Sequence, residues 1–314
     1  MILDTDAAPA RWERLQAHLG DVGGLTIRRA LPTPKHRMVG AWCFLDHAGP
    51  ADLPADRPMR VGPHPHTGLQ TFSWLIEGEI LHRDSLGSEQ VLRHGQVNLM
   101  TAGRGISHSE ESLTSRLQLA QLWIALPDAV RHMPPAFEHF PVMPQFKTGG
   151  FDTMLLMGEF QGHRSPVPSH TPLLGVDLSA SHAAEAEVLL HPDYEYGLMV
   201  LEGDMAVTVG DEDTGLSQPG QLLYVAPGGR SLRLLSGGGR SRALLLGGPP
   251  FNEPVLLWWN FVGRTREEMH AYAAEWNQQE DGSVFGAVHG YVGPRLLAPP
   301  VPALKVPVAP EPLS

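Results

Sequence analysis

The sequence predicts a mainly β protein that contains two related antiparallel barrels, and three observations lead to this fold class. Glycine (34) and proline (29) are abundant among the 314 residues, which favours short strands and turns over long helices. Short β-rich runs separated by turn residues extend from residue 25 to 126 and again from about 147 to 262. The third observation is an internal repeat.

The repeat links the two β-rich blocks at a constant distance along the chain. In the first block, the letters W-L-I-E-G at 74–78 are followed by H-G-Q at 94–96. In the second block, M-V-L-E-G at 199–203 is followed by P-G-Q at 219–221, so an offset of 125 superimposes both landmarks without a gap. A strand ending in E-G, a hairpin and a turn into another strand therefore predict a duplicated barrel.

Two helices are predicted outside the barrels. In residues 9–19, the apolar Trp12, Leu15 and Leu19 would share one face, and a glycine follows as a cap. The second helix begins at Thr265, which with Glu268 forms a capping-box pattern. Its apolar face would consist of Met269, Tyr272, Ala273 and Trp276.

Residues 127–146 are rich in proline and show little periodicity, so the boundary between the two domains is predicted there. The proline-rich end of the chain is expected to be extended. The predicted division is an N-terminal domain at 1–133, a linker at 134–146, a C-terminal domain at 147–290 and a tail at 291–314.

Composition excludes several classes of partner and site. The net charge of −11, without any run of Lys or Arg, argues against binding to nucleic acid or to an anionic membrane. Cys43 is the only cysteine, so neither an intramolecular disulfide nor a thiolate zinc site can form. No stretch has signal-peptide character or the ~18 apolar residues of a membrane span. A cytoplasmic protein is expected.

Two pairs of polar residues carry the chemistry. His64 and His66 precede one strand, and His108 and Glu110 open another. Residues i and i+2 of a strand point to the same face, so each pair would present two ligands together. Three imidazoles and a carboxylate suit Fe, Mn, Co, Ni, Cu or Zn. A six-coordinate ion would keep two open positions, which is typical of a catalytic site.

The alternative is that these histidines are ordinary hydrogen-bonded side chains, as most single H-x-H pairs are. The second pair, H-x-E, favours metal binding. Adding 125 to the four positions gives Leu189, His191, Arg233 and Leu235, so the second block lacks three of the four ligand types. One barrel with metal and one without is therefore expected.

Neighbouring polar residues are predicted to have other roles. His82 and His94 are interpreted as hydrogen-bonded barrel residues and not as ligands. Glu111 has the opposite strand parity to Glu110, so it should face outward.

The segments HPHTGLQTFSWLIEGEILHRDSLGSEQ (64–90) and NLMTAGRGISHSEES (98–112) resemble the signature of the pirin family. The segment GGPPFNEPVLLWWNFVGRTREEM (247–269) resembles the family's C-terminal stretch, and the similarity covers roughly residues 22–290. This resemblance implies two cupin barrels (double-stranded β-helices, or jelly rolls) arranged face to face, with a few short helices. It also implies iron in the N-terminal barrel, on the ligand positions His64, His66, His108 and Glu110.

The sequence departs from the family pattern just after the first histidine pair. Many pirins have H-R-G-F-E where this chain has H-T-G-L-Q, so Thr67 replaces an arginine and Gln70 a glutamate. An amide cannot act as a carboxylate base, which leaves Glu110 as the predicted catalytic residue. Gln70, Met100 and Trp74 are predicted to line the cavity or support the ligands, Gln70 because it shares strand parity with His66. The alternatives are an ordinary hydrogen-bonded side chain at the barrel mouth for Gln70 and core packing for Met100 and Trp74.

The resemblance implies quercetin 2,3-dioxygenase activity, found in several pirins, or the regulatory roles of others. The leading hypothesis is an Fe(II)-dependent dioxygenase that acts on a flavonol-type phenol with O₂ and needs no organic cofactor. The first alternative is an iron-containing regulatory or redox-sensing protein that binds another protein. The second is a metal-free barrel that binds a small ligand.

Overall fold

The computed structural model describes residues 12–54, 56–278 and 282–303, and strands dominate these residues. The strands up to residue 140 are β1 Trp12–Gln16, β2 His18–Val22, β3 Leu25–Leu31, β4 Trp42–Asp52, β5 Arg60–His66, β6 Leu69–Glu77, β7 Glu79–Asp84, β8 Glu89–Arg93, β9 Val97–Thr101, β10 Ile106–Ser112, β11 Arg116–Ala125 and β12 Ala136–Phe140.

The remaining part of the chain adds further strands and a helix. These elements are β13 Gln145–Thr148, β14 Phe151–Met157, β15 Glu159–Phe160, β16 His163–Arg164, β17 Leu174–Ala180, β18 Ala184–Leu189, β19 Glu195–Glu202, β20 Met205–Val209, β21 Glu212–Ser217, β22 Gln221–Val225, β23 Ser231–Ser236, β24 Ser241–Gly248, β25 Leu256–Trp258, β26 Phe261–Gly263 and α1 Arg266–Gln278. Within the described ranges, no helix has the length and apolar character needed to cross a membrane.

The strands form two similar pairs of sheets. The first pair has the orders β12-β9-β6-β11-β4-β3-β2 and β5-β10-β7-β8. The second pair has the orders β1-β22-β19-β24-β17-β14-β13 and β18-β23-β20-β21. The run β9-β6-β11-β4 thus corresponds to β22-β19-β24-β17, and β22, β19 and β24 begin 124 to 126 residues after their counterparts. The predicted duplication is confirmed.

The E-G landmarks of the repeat mark equivalent tight turns. Gly78 and Gly203 both have positive φ, 97° and 64°. A Cβ atom at either position would lie 2.4 Å from a backbone carbonyl oxygen, that of Arg116 or of Arg240. Only glycine combines this backbone conformation with such a close approach, which explains why both barrels have it at the same point.

Each barrel has its own apolar core. In the first, Leu75, Leu117 and Leu119 from the larger sheet pack with Ile80 and Leu92 from the smaller sheet. In the second, a larger cluster fills the space between the sheets. It includes Val176, Leu178, Leu198, Val200, Leu223 and Leu245 from one sheet and Ala186, Val188, Val207, Leu232 and Leu234 from the other.

Contacts divide the chain into compact units that differ from the predicted domain boundaries. One unit contains Arg28–Phe44, Met143–Phe251 and the described residues up to 18. The other contains Leu19–Ile27, Leu45–Val142 and the described residues from 252 onward. The stretch predicted as a linker contributes β12, because residues 136–140 pair with β9 along the sheet edge.

The N-terminal helix prediction is wrong for the residues that are described. Residues 12–16 form β1, which pairs with β22 from Trp12 opposite Val225 to Gln16 opposite Gln221. Leu19, expected on the apolar face of the helix, is 71% exposed. The hydrogen bonds of a distant strand decide the structure of this segment, and apolar spacing alone cannot reveal them. Residues 9–11 of the prediction lie outside the described residues.

The second helix prediction is confirmed. The Glu268 amide donates to Thr265 Oγ1 at 3.1 Å, and the Thr265 amide donates to Glu268 Oε2 at 3.2 Å. This reciprocal pair is the capping box. Met269, Ala273 and Trp276 are buried in a cluster of their own, against which Tyr272 packs.

The described part of the proline-rich tail forms no helix or strand but is anchored to α1. The Trp276 Nε1–H group donates to the Leu296 carbonyl at 2.7 Å, and Asn277 exchanges two hydrogen bonds with Ala298. The Leu296 amide donates to the Pro63 carbonyl at 2.9 Å. The tail is therefore attached both to the helix and to β5.

Loss of the capping box should weaken the protein measurably. We expect Thr265→Ala to lower the free energy of unfolding by about 1 kcal/mol, because the Glu268 amide loses its acceptor. The shift of the urea unfolding midpoint measures this loss. His270→Ala, on the exposed face of the same helix, is the control and should cause no loss. An unchanged midpoint in Thr265→Ala would contradict the role of the cap.

Candidate metal centre

The candidate centre lies where β5 and β10 pair. The strands are antiparallel, and His108 stands directly opposite His64. His64, His66 and His108 are 6%, 1% and 2% exposed, and one ring nitrogen from each lies within 4.8 Å of the others. The structure therefore brings three of the four predicted ligands into one buried group.

Glu110 enters a second group that shares His108. The register between β10 and β5 shifts after His108, so Glu110 stands opposite Val61. On its other side Glu110 pairs with His82 of β7, and His82, His108 and Glu110 form a second set of ligand atoms within 4.8 Å. The four predicted ligands are therefore divided between two groups that share His108, and His82 completes the group that contains Glu110.

Hydrogen bonds to carbonyl oxygens orient two of the imidazoles. His64 Nδ1 lies 2.9 Å from the Gly62 carbonyl oxygen, and His66 Nδ1 lies 3.0 Å from that of Asn260. A carbonyl oxygen can only accept, so each Nδ1 carries the proton and each Nε2 keeps a lone pair. Such bonds to the second nitrogen are typical of metal-binding histidines.

The donor set fits a divalent transition metal. His66 Nε2 and His108 Nε2 lie 3.1 Å apart. Two nitrogens that bind one ion with bonds of ~2.0–2.1 Å can have this separation. Imidazole nitrogens together with a carboxylate are the ligands that borderline ions such as Fe and Zn accept.

Burial adjusts the protonation of the group. It lowers the pKa of His64 to about 4, partly offset by the hydrogen bond to Gly62. Burial, and then the neighbouring histidines, hold the pKa values of His66 and His108 well below the ordinary value. Burial also raises the pKa of Glu110, while a hydrogen bond with Ser73 opposes that shift. At neutral pH the three imidazoles are therefore uncharged and able to bind a cation.

Strand β6 presents only one of its faces to this group. Ser73, which contacts Glu110, lies on the same face of β6 as Thr71. Met100 pairs with Thr71 across the sheet, so the Met100 side chain lies on that face too. Gln70 and Trp74 have the other parity, and Gln70 Nε2 donates to Thr101 Oγ1 at 2.9 Å. The prediction that Gln70 faces the cavity assumed that side chains alternate regularly from His66 to Gln70. The positive-φ turn at residue 68 interrupts this alternation.

Three other predictions concern polar residues nearby. His94 Nδ1 bonds to the Ile76 carbonyl, as expected of a barrel residue. Glu111 forms ion pairs with Arg83 at 2.7 Å and with Arg60 at 3.5 Å, away from the histidine group. His82 is buried and hydrogen-bonded to Asp84, as expected, but it also contacts His108, which sequence reasoning missed. The signal was the H-x-D pair at 82–84, whose side chains share a strand face.

The equivalent strands of the second barrel carry apolar side chains. Leu189 and Leu235, reached by the offset of 125, are 78% and 47% exposed, and Arg233 forms a surface ion pair with Glu185. The inward positions are shifted by one residue and are occupied by Ala186, Val188, Leu232 and Leu234. The absence of a metal from this barrel stays a prediction.

The lowered histidine pKa values make the metal-free protein sensitive to acid. In the unfolded chain, His64 has the ordinary histidine pKa of 6.5, whereas in the folded protein its pKa is about 4. The unfolded state therefore binds more protons as the pH falls between these values, and the free energy of unfolding falls too. We expect a loss of up to about 1 kcal/mol per pH unit for each such histidine.

Urea unfolding of the chelator-treated protein at pH 7.5 and 5.5 measures the slope of the free energy of unfolding against pH. His64→Gln should make it shallower, and His270→Gln, on the surface, should leave it unchanged. Equal slopes in the wild type and His64→Gln would contradict the assigned shift.

Comparison with known proteins identifies the family. The pirin model matches residues 24–124, and the model of the pirin C-terminal cupin domain matches residues 175–282. A Pseudomonas aeruginosa protein named "putative quercetin 2,3-dioxygenase" is 46% identical over 295 residues, which are 92% of this chain and 90% of that protein. A pirin-like protein of Caulobacter vibrioides is 37% identical over 277 residues, 82% of this chain and 89% of that one.

A solved structure extends this similarity to the fold. The crystal structure of a quercetin 2,3-dioxygenase from Acinetobacter baumannii superimposes with a TM-score of 0.89 at 44% identity. The match covers 94% of this chain and 97% of that one. The predicted mainly β fold with two cupin domains is thereby confirmed, and the chain belongs to the pirin family.

Proposed function

We propose that this pirin is a metal-dependent dioxygenase of the quercetinase type. Its single metal would be held by His64, His66, His108 and Glu110 of the N-terminal cupin domain. The observation that carries the proposal is the buried group of uncharged imidazoles beside a carboxylate. The 46% identity to a protein named "putative quercetin 2,3-dioxygenase" supports the reaction class.

Iron(II) is the proposed metal, in keeping with the resemblance that the sequence shows to pirins. The donor set also accepts Mn, Co, Ni, Cu and Zn, and elemental analysis of the purified protein separates these choices. No organic cofactor is part of the proposal. A cytoplasmic location is also proposed, because a chain with one cysteine gains no intramolecular disulfide from an oxidising compartment.

An aromatic substrate suits the side chains around the group. Trp123 approaches the edge of the His66 ring at 5.1 Å, and Phe137 stacks on His82 at 4.4 Å. Met100 of β9 pairs with Phe137 of β12 and adds a polarizable apolar side chain. Flat apolar surfaces beside a few polar groups favour a planar phenol such as a flavonol.

Glu110 is also the proposed proton acceptor, as a ligand that can shift. When bound, the ion would supply Lewis acidity toward a substrate hydroxyl and redox access to O₂. Glu110 would take up the hydroxyl proton, since burial raises the pKa of its carboxyl and makes the carboxylate a stronger base. Ser73, whose hydroxyl donates to Gln121 Oε1 at 2.9 Å, lies beside the carboxylate. Gln70 cannot share this role, because its amide has no basic oxygen and bonds to Thr101. The surrounding buried residues would exclude water.

Turnover by the iron-loaded protein tests the proposal. We expect O₂ consumption with quercetin, measured with an oxygen electrode, and loss of that activity in His64→Ala because one ligand is missing. Glu111→Gln is a matched control, since Glu111 neighbours Glu110 in sequence but forms ion pairs with Arg83 and Arg60. It should keep the activity.

A protein that holds one iron per chain but consumes no O₂ with quercetin or a panel of phenols would contradict the dioxygenase proposal. In that case, recovery of a protein partner by the iron-loaded form alone would identify the regulatory alternative.

A further inference from the structure

A buried aspartate beside the candidate centre is fixed by three hydrogen bonds. Asp84 lies at the end of β7 and is 1% exposed. Its Oδ1 accepts from the backbone amides of Leu86 at 2.9 Å and Ser88 at 3.0 Å. Its Oδ2 lies 3.1 Å from His82 Nε2. The hairpin amides therefore hold the carboxylate in place and leave Oδ2 to accept from the histidine.

This arrangement determines which nitrogen of His82 carries the proton. Because Oδ2 accepts, His82 Nε2 must donate, and the neutral ring then has a lone pair on Nδ1. Phe137 stacks on the ring at 4.4 Å with an interplanar angle of 14°, which prevents it from turning freely. His82 Nδ1 thus faces His108 as an acceptor.

The same reasoning applies to the next ring. His82 Nδ1 and His108 Nδ1 lie 3.4 Å apart, and one of two facing nitrogens must carry a proton for them to bond. Since His82 Nδ1 is the acceptor, His108 Nδ1–H is the donor. The lone pair of His108 is then on Nε2, where it faces the lone pair of His66 Nε2 at 3.1 Å, and a cation between the two nitrogens would stabilise this pair. Without a cation, the opposite tautomer gains a hydrogen bond from His108 Nε2–H to His66 Nε2, and the contact with His82 Nδ1 is what opposes that tautomer.

We propose that Asp84 and His82 are positioning residues that keep His108 in the tautomer able to bind metal through Nε2. This inference rests on the proposed function, because it assigns His108 as a ligand. Backbone carbonyls orient His64 and His66, whereas His108 depends on a chain of two side chains. His82 does not itself bind the metal in this arrangement, since both of its nitrogens are engaged in hydrogen bonds.

Asp84→Asn reverses the chain of hydrogen bonds without removing it. The amide oxygen keeps the bonds to the Leu86 and Ser88 amides, so the NH₂ group faces His82 Nε2 and donates to it. His82 Nδ1 then carries the proton and donates to His108 Nδ1, which moves the His108 proton to Nε2. His82→Phe keeps the stacking on Phe137 but leaves His108 free to adopt either tautomer.

Co(II) titration of the chelator-treated protein at pH 7.5 measures the effect. We expect one Co(II) per wild-type chain, affinity about 100-fold lower in Asp84→Asn and about 10-fold lower in His82→Phe. The visible spectrum of bound Co(II) in His82→Phe should keep its wild-type bands, because the ligands are the same. Glu89 is the exposed ion-pair partner of Arg83. Glu89→Gln is therefore the control and should bind Co(II) with wild-type affinity.

The ¹⁵N chemical shifts of the His108 ring give a readout that needs no metal. We expect a larger share of the tautomer with the proton on Nδ1 in the metal-free wild type than in Asp84→Asn, where the proton should lie on Nε2. Equal Co(II) affinity and an unchanged tautomer in Asp84→Asn would overturn the positioning role and leave the proposed function standing. A greater loss in His82→Phe than in Asp84→Asn, with altered bands, would overturn it in favour of His82 as a ligand. A wild type that binds no Co(II) would overturn both proposals.

Discussion

The antiparallel register between β5 and β10 is the constraint on which the candidate centre depends. It places His108 opposite His64, and the two-residue period of β5 adds His66 to the same group. A slip of one residue would turn these side chains to the other face of the sheet. The hydrogen bonds of the ladder therefore set the positions of these candidate ligands.

Burial gives this group its chemical character and also imposes a cost. Removal from water keeps the imidazoles uncharged, which prepares them for a cation, but each buried nitrogen needs a partner. Carbonyl oxygens supply partners for His64 and His66, and Asp84 supplies one for His82. The second barrel has the same strand order but apolar side chains at the inward positions of β18 and β23. The duplicated scaffold therefore accommodates either a polar group or a continuous apolar core.

The sequence predicted those features that depend on short-range periodicity. The repeat of E-G turns, the capping box at Thr265 and the clustering of the three histidines all follow from spacings of a few residues or from one constant offset. Features decided by distant partners were not predictable in this way. The segment at Trp12 became a strand because it pairs with Val225, and the role of His82 required β7 to lie beside β10. Strand parity also failed for Gln70, because the turn at residue 68 separates its strand from that of His66.

Anomalous X-ray diffraction at the iron edge from crystals of the iron-loaded protein tests the central assignment most directly. The account predicts one strong peak per chain, within bonding distance of Nε2 of His64, His66 and His108 and of a carboxylate oxygen of Glu110. A peak bound by other side chains, or crystals that contain iron but show no peak at these histidines, would contradict it.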